Sequence, residues 1–206
     1  PGREQTPSVA FGVRESMGLA QNTVTDATMC QRCSTMFTYE FRQYGQLGEY
    51  VCPNCGFSRP ALDFAAENVS LLSDRLSFEV VCATGAAGAA GAAGASAAEA
   101  PVPVHAAFNG AYMVYNLLAV AVGAELVGCS AEAIQQAIDA FNPQNGRLES
   151  FDIAGRNVLL NLAKNPTGFN QNLKIVAQDA NPKVVAFFIN DKEADGRDVS
   201  WLWDID

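Results

Sequence analysis

The amino-acid sequence predicts an α/β fold that carries an inserted zinc ribbon. Apolar residues recur at helical spacing in two stretches, "AYMVYNLLAVAVGAELVG" and the segment that follows Ser130. Strand patterns occur on either side of them, in "RLSFEVVCA" and in the continuous apolar run "KVVAFFIN". Two C-x-x-C pairs within residues 26–60 indicate the ribbon. Helix and strand patterns therefore alternate along the chain, which is typical of α/β proteins.

The composition excludes two classes of partner. The net charge is −9 and the 13 Lys and Arg residues form no run, so we expect no nucleic-acid binding. No stretch is apolar and bulky enough to span a bilayer and no signal peptide is visible, so we expect no transmembrane segment and a reducing cytoplasm. Cys82 and Cys129 stand among apolar neighbours, which predicts buried free thiols. The chain begins with Pro-Gly rather than Met, so we expect a piece of a longer protein.

The spacing of the other four cysteines predicts a closed metal site. Cys30, Cys33, Cys52 and Cys55 form two C-x-x-C pairs, and the alternating residues between the pairs predict a hairpin that brings them together. Four thiolates suit tetrahedral Zn²⁺ and leave no position for water, so the predicted role is structural. An iron–sulfur cluster with the same ligands is the main alternative. Few basic residues lie in the ribbon, which favours a structural or protein-contact role over nucleic-acid binding.

Three strands are predicted around the ribbon. Val9–Val13 is a short strand candidate, and "RLSFEVVCA" pairs with the returning strand "VPVHAAF". The tip of this hairpin is the Gly/Ala-rich segment 84–101, which has too few bulky side chains to offset its ordering entropy and is predicted to be a flexible loop. His105 lies in the returning strand, where a packed or surface histidine is more common than a catalytic one.

Two helices and a second α/β segment follow. The first helix presents four side chains on one face: Ala111, Tyr115, Leu118 and Val122. Ser130 is predicted to cap the second helix, whose apolar stripe consists of Ile134, Ala137, Ile138 and Phe141. Beyond them we expect a hairpin over "RLESFDIAGRNVLLNLA", a loop over "KNPTGFN", a helix over "NQNLKIVAQDA" and a central strand over "KVVAFFIN".

Polar side chains cluster in three segments at junctions between strands and helices. The segments are "YNLLAV" with Asn116, "NGRLE" with Arg147, and "NLAKNPTGFNQNL" from Lys164 to Asn172. A helix N-terminus in the third segment, at 168–170, can receive an anion, so the spacing indicates a nucleotide or phosphate site. The alternative is that Asn and Gly merely form turns and caps here, and the spacing alone supports it equally.

The C-terminal segment "DGRDVSWLWDID" is predicted to be a two-faced strand. Strand periodicity places Trp201 and Trp203 on one face, and Asp198 and Asp204 on the other. Both indoles are then expected to anchor the segment in a core or at a subunit contact.

These segments resemble one family. "NLAKNPTGFNQNL" and "FFINDKEADGRDVSWLWDID" are closely similar to the C-terminal domain of the MurT family, Mur-ligase relatives with a four-cysteine zinc ribbon in the central domain. "GAYMVYNLLAV" and "NGRLE" resemble nucleotide-contacting segments of Mur ligases. The resemblance implies a partial Mur-ligase-like central domain at residues 1–147, with the ribbon at 26–60 and the loop at 84–101. It also implies a partial C-terminal α/β domain with a mainly parallel sheet at 148–206.

The resemblance further implies an activity, its cofactors and its partners. The family is the synthetase subunit of lipid II isoglutaminyl synthase, which amidates the α-carboxylate of D-glutamate in lipid II with ATP. Ammonia comes from a glutaminase partner, GatD, in the bacterial cytoplasm at the inner face of the membrane. ATP and Mg²⁺ are then the cofactors of the full-length enzyme, beside structural Zn²⁺. The implied nucleotide-binding residues are Asn116, Arg147, Lys164 and Asn165, and Asp198 is the implied triad aspartate that orients the partner's histidine.

Two departures from the family pattern bear on activity. Residues 1–206 contain no Gly-rich phosphate loop that ends in Lys-Ser/Thr, and Met113 stands where the family segment has its first Asn. We therefore expect no ATP hydrolysis by this chain alone. The alternatives are a zinc-ribbon interaction module without a catalytic role and an ordinary Mur ligase that adds an amino acid. The ribbon and the "SWLWD" segment disfavour the latter.

Overall fold

The computed structural model describes residues 8–19, 28–45, 47–83, 100–142, 146–192 and 197–205. The described residues form two compact units, of which the first ends at Phe141 and the second begins at Asn142. The predicted Gly/Ala loop lies outside the described residues, except for positions 100 and 101. Among the helices in these ranges, none has the length and apolar character needed to cross a bilayer.

The described ranges contain eight strands, three α-helices and one 3₁₀ helix. The strands are β1 (Phe11–Val13), β2 (Thr38–Tyr44), β3 (Leu47–Val51), β4 (Phe64–Leu71), β5 (Leu76–Cys82), β6 (Val102–Ala106), β7 (Glu149–Ile153) and β8 (Arg156–Leu160). The helices are α1 (Ala111–Leu126), α2 (Ala131–Ala140) and α3 (Pro166–Gln178), and a 3₁₀ helix covers Ser200–Asp204. The predicted α/β fold class is confirmed.

The first unit is built on a mixed four-stranded sheet in the order β1-β4-β5-β6. β1 pairs with β4 in parallel, whereas β4, β5 and β6 form antiparallel pairs. The alternation of Leu76, Phe78 and Val80 that predicts β5 turns these three side chains into the core, where all are buried. The hairpin of β5 and β6 is confirmed. β4 is an additional strand that the sequence did not predict.

Helices α1 and α2 cover this sheet. α1 packs against β1, β4 and β5 and buries Val114 and Leu118 completely. Ser130 caps α2 as predicted, because its Oγ accepts a hydrogen bond from the N–H of Ala133 at 3.3 Å. On the same helix, Gln135 pairs with both backbone groups of His105 in β6 at 3.0 and 2.9 Å. The sheet and its helices therefore form one continuous core.

The ribbon is the connection between the two parallel strands β1 and β4. Its antiparallel hairpin consists of β2 and β3, with irregular register near Arg42. Parallel neighbours cannot be joined by a tight turn, so a long crossing segment is required between β1 and β4. The ribbon is that segment.

The second unit contains an antiparallel hairpin and one long helix. β7 and β8 pair through a two-residue turn, Ala154-Gly155, in which both residues have positive φ (54° and 74°). This is the turn geometry that suits the twist of a hairpin. Asn161 links the hairpin to α3, since its Nδ2 donates to Oδ1 of Asn172 at 2.6 Å.

Three strand or loop predictions for this unit are wrong. The predicted loop "KNPTGFN" is the first turn of α3, which begins at Pro166. The predicted central strand over 183–190 is not a strand and is exposed, with Val184 at 97% and Phe188 at 93%. The C-terminal segment is a 3₁₀ helix rather than a two-faced strand. Within the described residues of this unit, the strand pairing is antiparallel, so the mainly parallel sheet is not found there.

We predict that Phe78→Ala lowers the free energy of unfolding by about 3–5 kcal/mol, because it leaves a cavity at the centre of the sheet. The ring of Phe78 is 2% exposed. Phe11→Ala is the matched control, since that ring is 43% exposed on edge strand β1, and its loss should be smaller. Denaturant unfolding of the metal-saturated protein, followed by far-UV circular dichroism, measures both. Equal losses would contradict this placement of the core.

Candidate functional site

The two C-x-x-C pairs form equivalent knuckles. In the first, the N–H of Cys30 donates to the carbonyl of Thr35 at 2.8 Å, and the N–H of Ser34 donates to the carbonyl of Cys30 at 2.8 Å. In the second, the N–H of Cys52 donates to the carbonyl of Phe57 at 2.7 Å, and the N–H of Gly56 donates to the carbonyl of Cys52 at 3.0 Å. The fifth residue of each knuckle adopts a left-handed conformation, with φ 58° at Ser34 and 71° at Gly56.

The four thiols converge on one point. Their Sγ atoms all lie within 4.8 Å of one another, with 3.6 Å between Cys30 and Cys55 and 3.4 Å between Cys33 and Cys52. All four are free thiols. Tetrahedral Zn²⁺ with Zn–S distances of about 2.3 Å places its sulfurs about 3.8 Å apart, so the residues fit a single ion. A multi-iron cluster holds its thiolates on different iron atoms and needs a wider separation.

The ionisation of the thiols is strongly uneven. Hydrogen bonds, first from the side chain of Thr35 and then from that of Asn54, lower the pKa of Cys33 to about 5. The N–H of Phe57 lowers the pKa of Cys55, but desolvation and the hydrogen bonds that this thiol donates to the other sulfurs outweigh it and raise that pKa to about 12. Cys55 therefore resists ionisation beside the other sulfurs, and a bound cation removes that resistance.

The apolar core beside the four cysteines is small. Four aromatic rings, with centroids 4.7–6.3 Å apart, pack between the knuckles: Phe37, Tyr39, Tyr50 and Phe57. The guanidinium of Arg32 lies 4.6 Å from the centroid of Phe57. Met29 and Met36 remain more than half exposed. A module of this size gains much of its folding energy from a metal ion.

Two ribbon residues that the sequence did not single out attach the module to the rest of the first unit. Gln43 is 5% exposed and bonds to residues outside the ribbon, and Arg59 donates to the carbonyl of Val13 at 2.9 Å. The two-residue period of β2 could have identified Gln43 as buried, because it places this residue on the same face as Phe41. A polar residue at such an inward position requires hydrogen-bond partners.

The predicted nucleotide-binding residues are divided between the units. Asn116 lies in the first unit, on the exposed face of α1, where its Nδ2 is 3.7 Å from Sδ of Met113. Arg147, Lys164 and Asn165 lie in the second unit and are exposed. Asn165 is the N-cap of α3, since its Oδ1 accepts from the N–H of Gly168 at 2.7 Å. The interpretation that this asparagine forms a helix cap is therefore correct.

Hydrogen bonds bring Arg147 and the start of α3 to the same end of the second unit. The N–H of Leu162 donates to the carbonyl of Gly146 at 2.6 Å, and Oδ1 of Asn161 accepts from the N–H of Leu148 at 3.2 Å. Residues 146–148, which include Arg147, are therefore hydrogen-bonded to residues 161–162, which lead into Lys164 and α3. We call residues 146–148 and 161–168 together the joined segment. It carries two cationic side chains and a helix N-terminus, which suits an anionic ligand.

Asp198 is exposed and stabilises the turn that follows it. Its Oδ1 accepts from the N–H of Ser200 at 2.8 Å, and hydrogen bonds from Ser200, the side chain first and then the backbone, lower the pKa of the carboxyl. Trp201 packs against Phe169 with centroids 6.1 Å apart, whereas Trp203 is 90% exposed. The prediction that both tryptophans share one face is wrong.

The remaining candidates do not form a site. Cys129 is exposed and Cys82 is half-buried, so the prediction of two buried thiols is wrong. His105 is exposed on β6, and Gln135 binds its backbone.

Comparison with known proteins gives a consistent result. Residues 162–206 match the family described as MurT ligase C-terminal. The MurT subunit of lipid II isoglutaminyl synthase (glutamine-hydrolyzing) from Streptococcus pneumoniae is 30% identical over 202 residues, which are 97% of this chain and 41% of that protein. The corresponding subunit from Staphylococcus aureus strain COL is 28% identical over 186 residues, or 90% of this chain and 38% of that protein. The chain thus spans about two fifths of the length of these relatives.

Comparison of structures gives the fold. A pseudomurein peptide ligase type C from Methanothermus fervidus superimposes with a TM-score of 0.60 at 22% identity, over 85% of this chain and 31% of that one. The chain is therefore similar to MurT subunits over nearly its whole length, its residues 162–206 match the MurT ligase C-terminal family, and it shares the fold of that pseudomurein peptide ligase.

Proposed function

We propose that the chain is part of a synthetase subunit that amidates the α-carboxylate of D-glutamate in lipid II to D-isoglutamine. ATP phosphorylates the carboxylate, and ammonia displaces phosphate from the resulting acyl phosphate to form the amide. A glutaminase subunit of the GatD type supplies the ammonia from glutamine. The observation that carries this proposal is the similarity to MurT subunits over nearly the whole chain, including the segment that holds Asp198.

The joined segment at the end of the second unit is proposed to contact the nucleotide. Arg147 and Lys164 supply positive charge, and the N-terminus of α3 supplies N–H groups for phosphate. Asn165 orients this N-terminus by capping it. Asn116 on α1 is proposed as a further contact to the nucleotide. Mg²⁺ bound with the nucleotide would supply neutralisation of the phosphate charge.

Asp198 is proposed to complete the partner's catalytic triad. The hydrogen bonds from Ser200 keep the carboxylate ionised and fix its direction. An ionised carboxylate against imidazole selects the tautomer and stabilises the imidazolium. Exposure of Asp198 is what this role requires, because the histidine belongs to another chain.

Zn²⁺ is proposed as the ion bound by Cys30, Cys33, Cys52 and Cys55. The fit of the four Sγ atoms to one tetrahedral ion supports it. With four thiolates as ligands, the ion has no position for water, so it supplies stability rather than chemistry to the synthetase. The ligase acts in the cytoplasm at the inner face of the membrane, where lipid II is presented.

A second candidate is a ribbon that only binds another protein. The exposed Met29 and Met36 beside the knuckles favour it, since exposed apolar patches often mark protein contacts. A pull-down with the glutaminase, followed by a glutaminase assay, separates the two functions. A synthetase subunit should bind and activate the glutaminase, whereas an unrelated ribbon module should do neither.

We predict that Asp198→Asn in the full-length subunit lowers glutamine-dependent amidation by up to about four orders of magnitude, because the imidazole loses its charged partner. Amidation with added ammonium salt should persist, since the synthetase site is intact. Asn keeps the oxygen that accepts from Ser200, so the turn should stay folded. Asp204→Asn on the same turn is the control and should leave both rates unchanged. Normal glutamine-dependent amidation by Asp198→Asn would refute the triad role.

Lys164→Gln in the full-length subunit should raise the KM for ATP by about tenfold or more, since a charged hydrogen bond to phosphate contributes about 1.5–3 kcal/mol. Lys192→Gln, which removes an equal charge from an exposed position outside the joined segment, is the control. Amidation rates at varied ATP concentration give both constants. An unchanged KM in Lys164→Gln would exclude this residue from the nucleotide site.

Elemental analysis of the purified chain should find about one equivalent of zinc. Cys52→Ser should reduce that content and accelerate amide hydrogen exchange in residues 28–59, because the ribbon loses a ligand. Cys129→Ser is the control and should retain the metal. Iron in place of zinc would overturn the choice of ion, and an unchanged zinc content in Cys52→Ser would overturn the ligand set.

A further inference from the structure

The ribbon is fastened to the rest of the first unit by a buried side chain. Gln43 in β2 uses both ends of its amide on residues outside the ribbon. Its Oε1 accepts from the N–H of Met17 at 2.7 Å, and its Nε2 donates to the carbonyl of Glu15 at 3.2 Å and to the hydroxyl of Tyr115 at 3.4 Å. A buried amide that loses such partners is costly, so Gln43 holds its place only while the hairpin stays closed.

Arg59 makes the second attachment, from the other arm of the ribbon. Its Nη1 donates to the carbonyl of Val13 at 2.9 Å, and its Nη2 pairs with the carboxylate of Glu49 in β3. The guanidinium also lies 5.8 Å from the ring centroid of Phe41 in β2. Both strands of the ribbon are therefore connected to the end of β1 and the residues that follow it.

Tyr115 extends this connection to helix α1. The helix packs against the main sheet and against β2, and Tyr115 lies in its second turn. The next residue is Asn116, one of the proposed nucleotide contacts. A change in the ribbon can therefore reach the first turns of α1 through the hydrogen bond between Gln43 and Tyr115.

We propose that Gln43 and Arg59 are positioning residues that transmit the closure of the ribbon by its metal ion to residues 13–17 and to the first turns of α1. This inference rests on the proposed metal site. Without the ion, the ribbon is held by four aromatic rings and a short hairpin, and such segments open locally. Opening of the ribbon breaks the hydrogen bonds of Gln43 and Arg59 to the rest of the first unit. β1 then stays in the sheet only through its own three residues.

Hydrogen exchange measured by mass spectrometry tests this coupling, with and without Zn²⁺. Removal of zinc from the wild-type chain should accelerate exchange in three regions: residues 28–59, 13–17 and 111–117. Residues of α2 should be unaffected. The loss of one hydrogen bond accelerates exchange through local opening about fivefold.

Two variants separate transmission from general stability. In Gln43→Leu, zinc should still protect the knuckles, but its effect should be lost at 111–117 and reduced at 13–17, where the bond from Arg59 to Val13 remains. In Tyr115→Phe, only the response at 111–117 should be lost, since the bonds from Gln43 to Met17 and Glu15 remain. A purely structural role would instead accelerate exchange equally in the zinc-loaded and zinc-free forms.

Gln135→Leu is the matched control, because Gln135 joins α2 to β6 without touching the ribbon. It should leave every zinc response at 13–17 and 111–117 intact. Zinc content is measured on each sample, so a wild-type chain that binds no zinc refutes the metal site. A chain that binds zinc and protects only 28–59 refutes the coupling alone. If Gln43→Leu fails to fold, Tyr115→Phe decides, and an unchanged response at 111–117 in that variant overturns the proposal.

Discussion

The parallel pairing of β1 with β4 is the constraint on which the first unit depends. Three residue pairs form the ladder, and its ends are fixed by hydrogen bonds between Ala10 and Asp63 and from Arg14 to Ala66. Parallel neighbours require a crossing connection, and here that connection is the whole ribbon. So short a ladder contributes little by itself. The position of β1 in the sheet therefore depends on a ribbon that returns the chain to β4 in register.

This dependence explains why the ribbon has more than one means of support. The pKa of Cys33 is lowered and that of Cys55 is raised, so the thiols do not ionise together without a cation, and four aromatic rings are the main apolar contacts beside them. The proposed metal ion would link the two knuckles, while Gln43 links the hairpin to α1 and Arg59 links it to β1. The metal ion would hold the knuckle end of the ribbon, and Gln43 and Arg59 hold its other end. Each therefore restrains a part of the ribbon that the other does not.

Local patterns were predictable from the sequence, and features that depend on distant partners were not. The cysteine spacing, the cap at Ser130 and the hairpin of β7 and β8 follow from neighbouring residues and were correct. β4 was missed because a bulge and the positive φ of Asn68 (52°) interrupt its alternation. The segment 183–190 has the composition of a central strand, but a strand also needs a neighbour, and among the described residues none pairs with it. In the candidate site, Gln43 was missed because its role lies in contacts with Met17 and Tyr115, which are far away in sequence.

The 3₁₀ helix at the C-terminal segment changes what Asp198 can do. Successive residues of such a helix are about 120° apart, so Trp201 and Trp203 cannot share a face as they would in a strand. Trp201 therefore packs on Phe169 and holds the turn against α3, while Trp203 points outward. The backbone N–H of Ser200 donates to Oδ1 of Asp198, which fixes the orientation of the carboxylate. An exposed carboxylate that Ser200 holds in place suits the proposed contact with an imidazole N–H of a second protein.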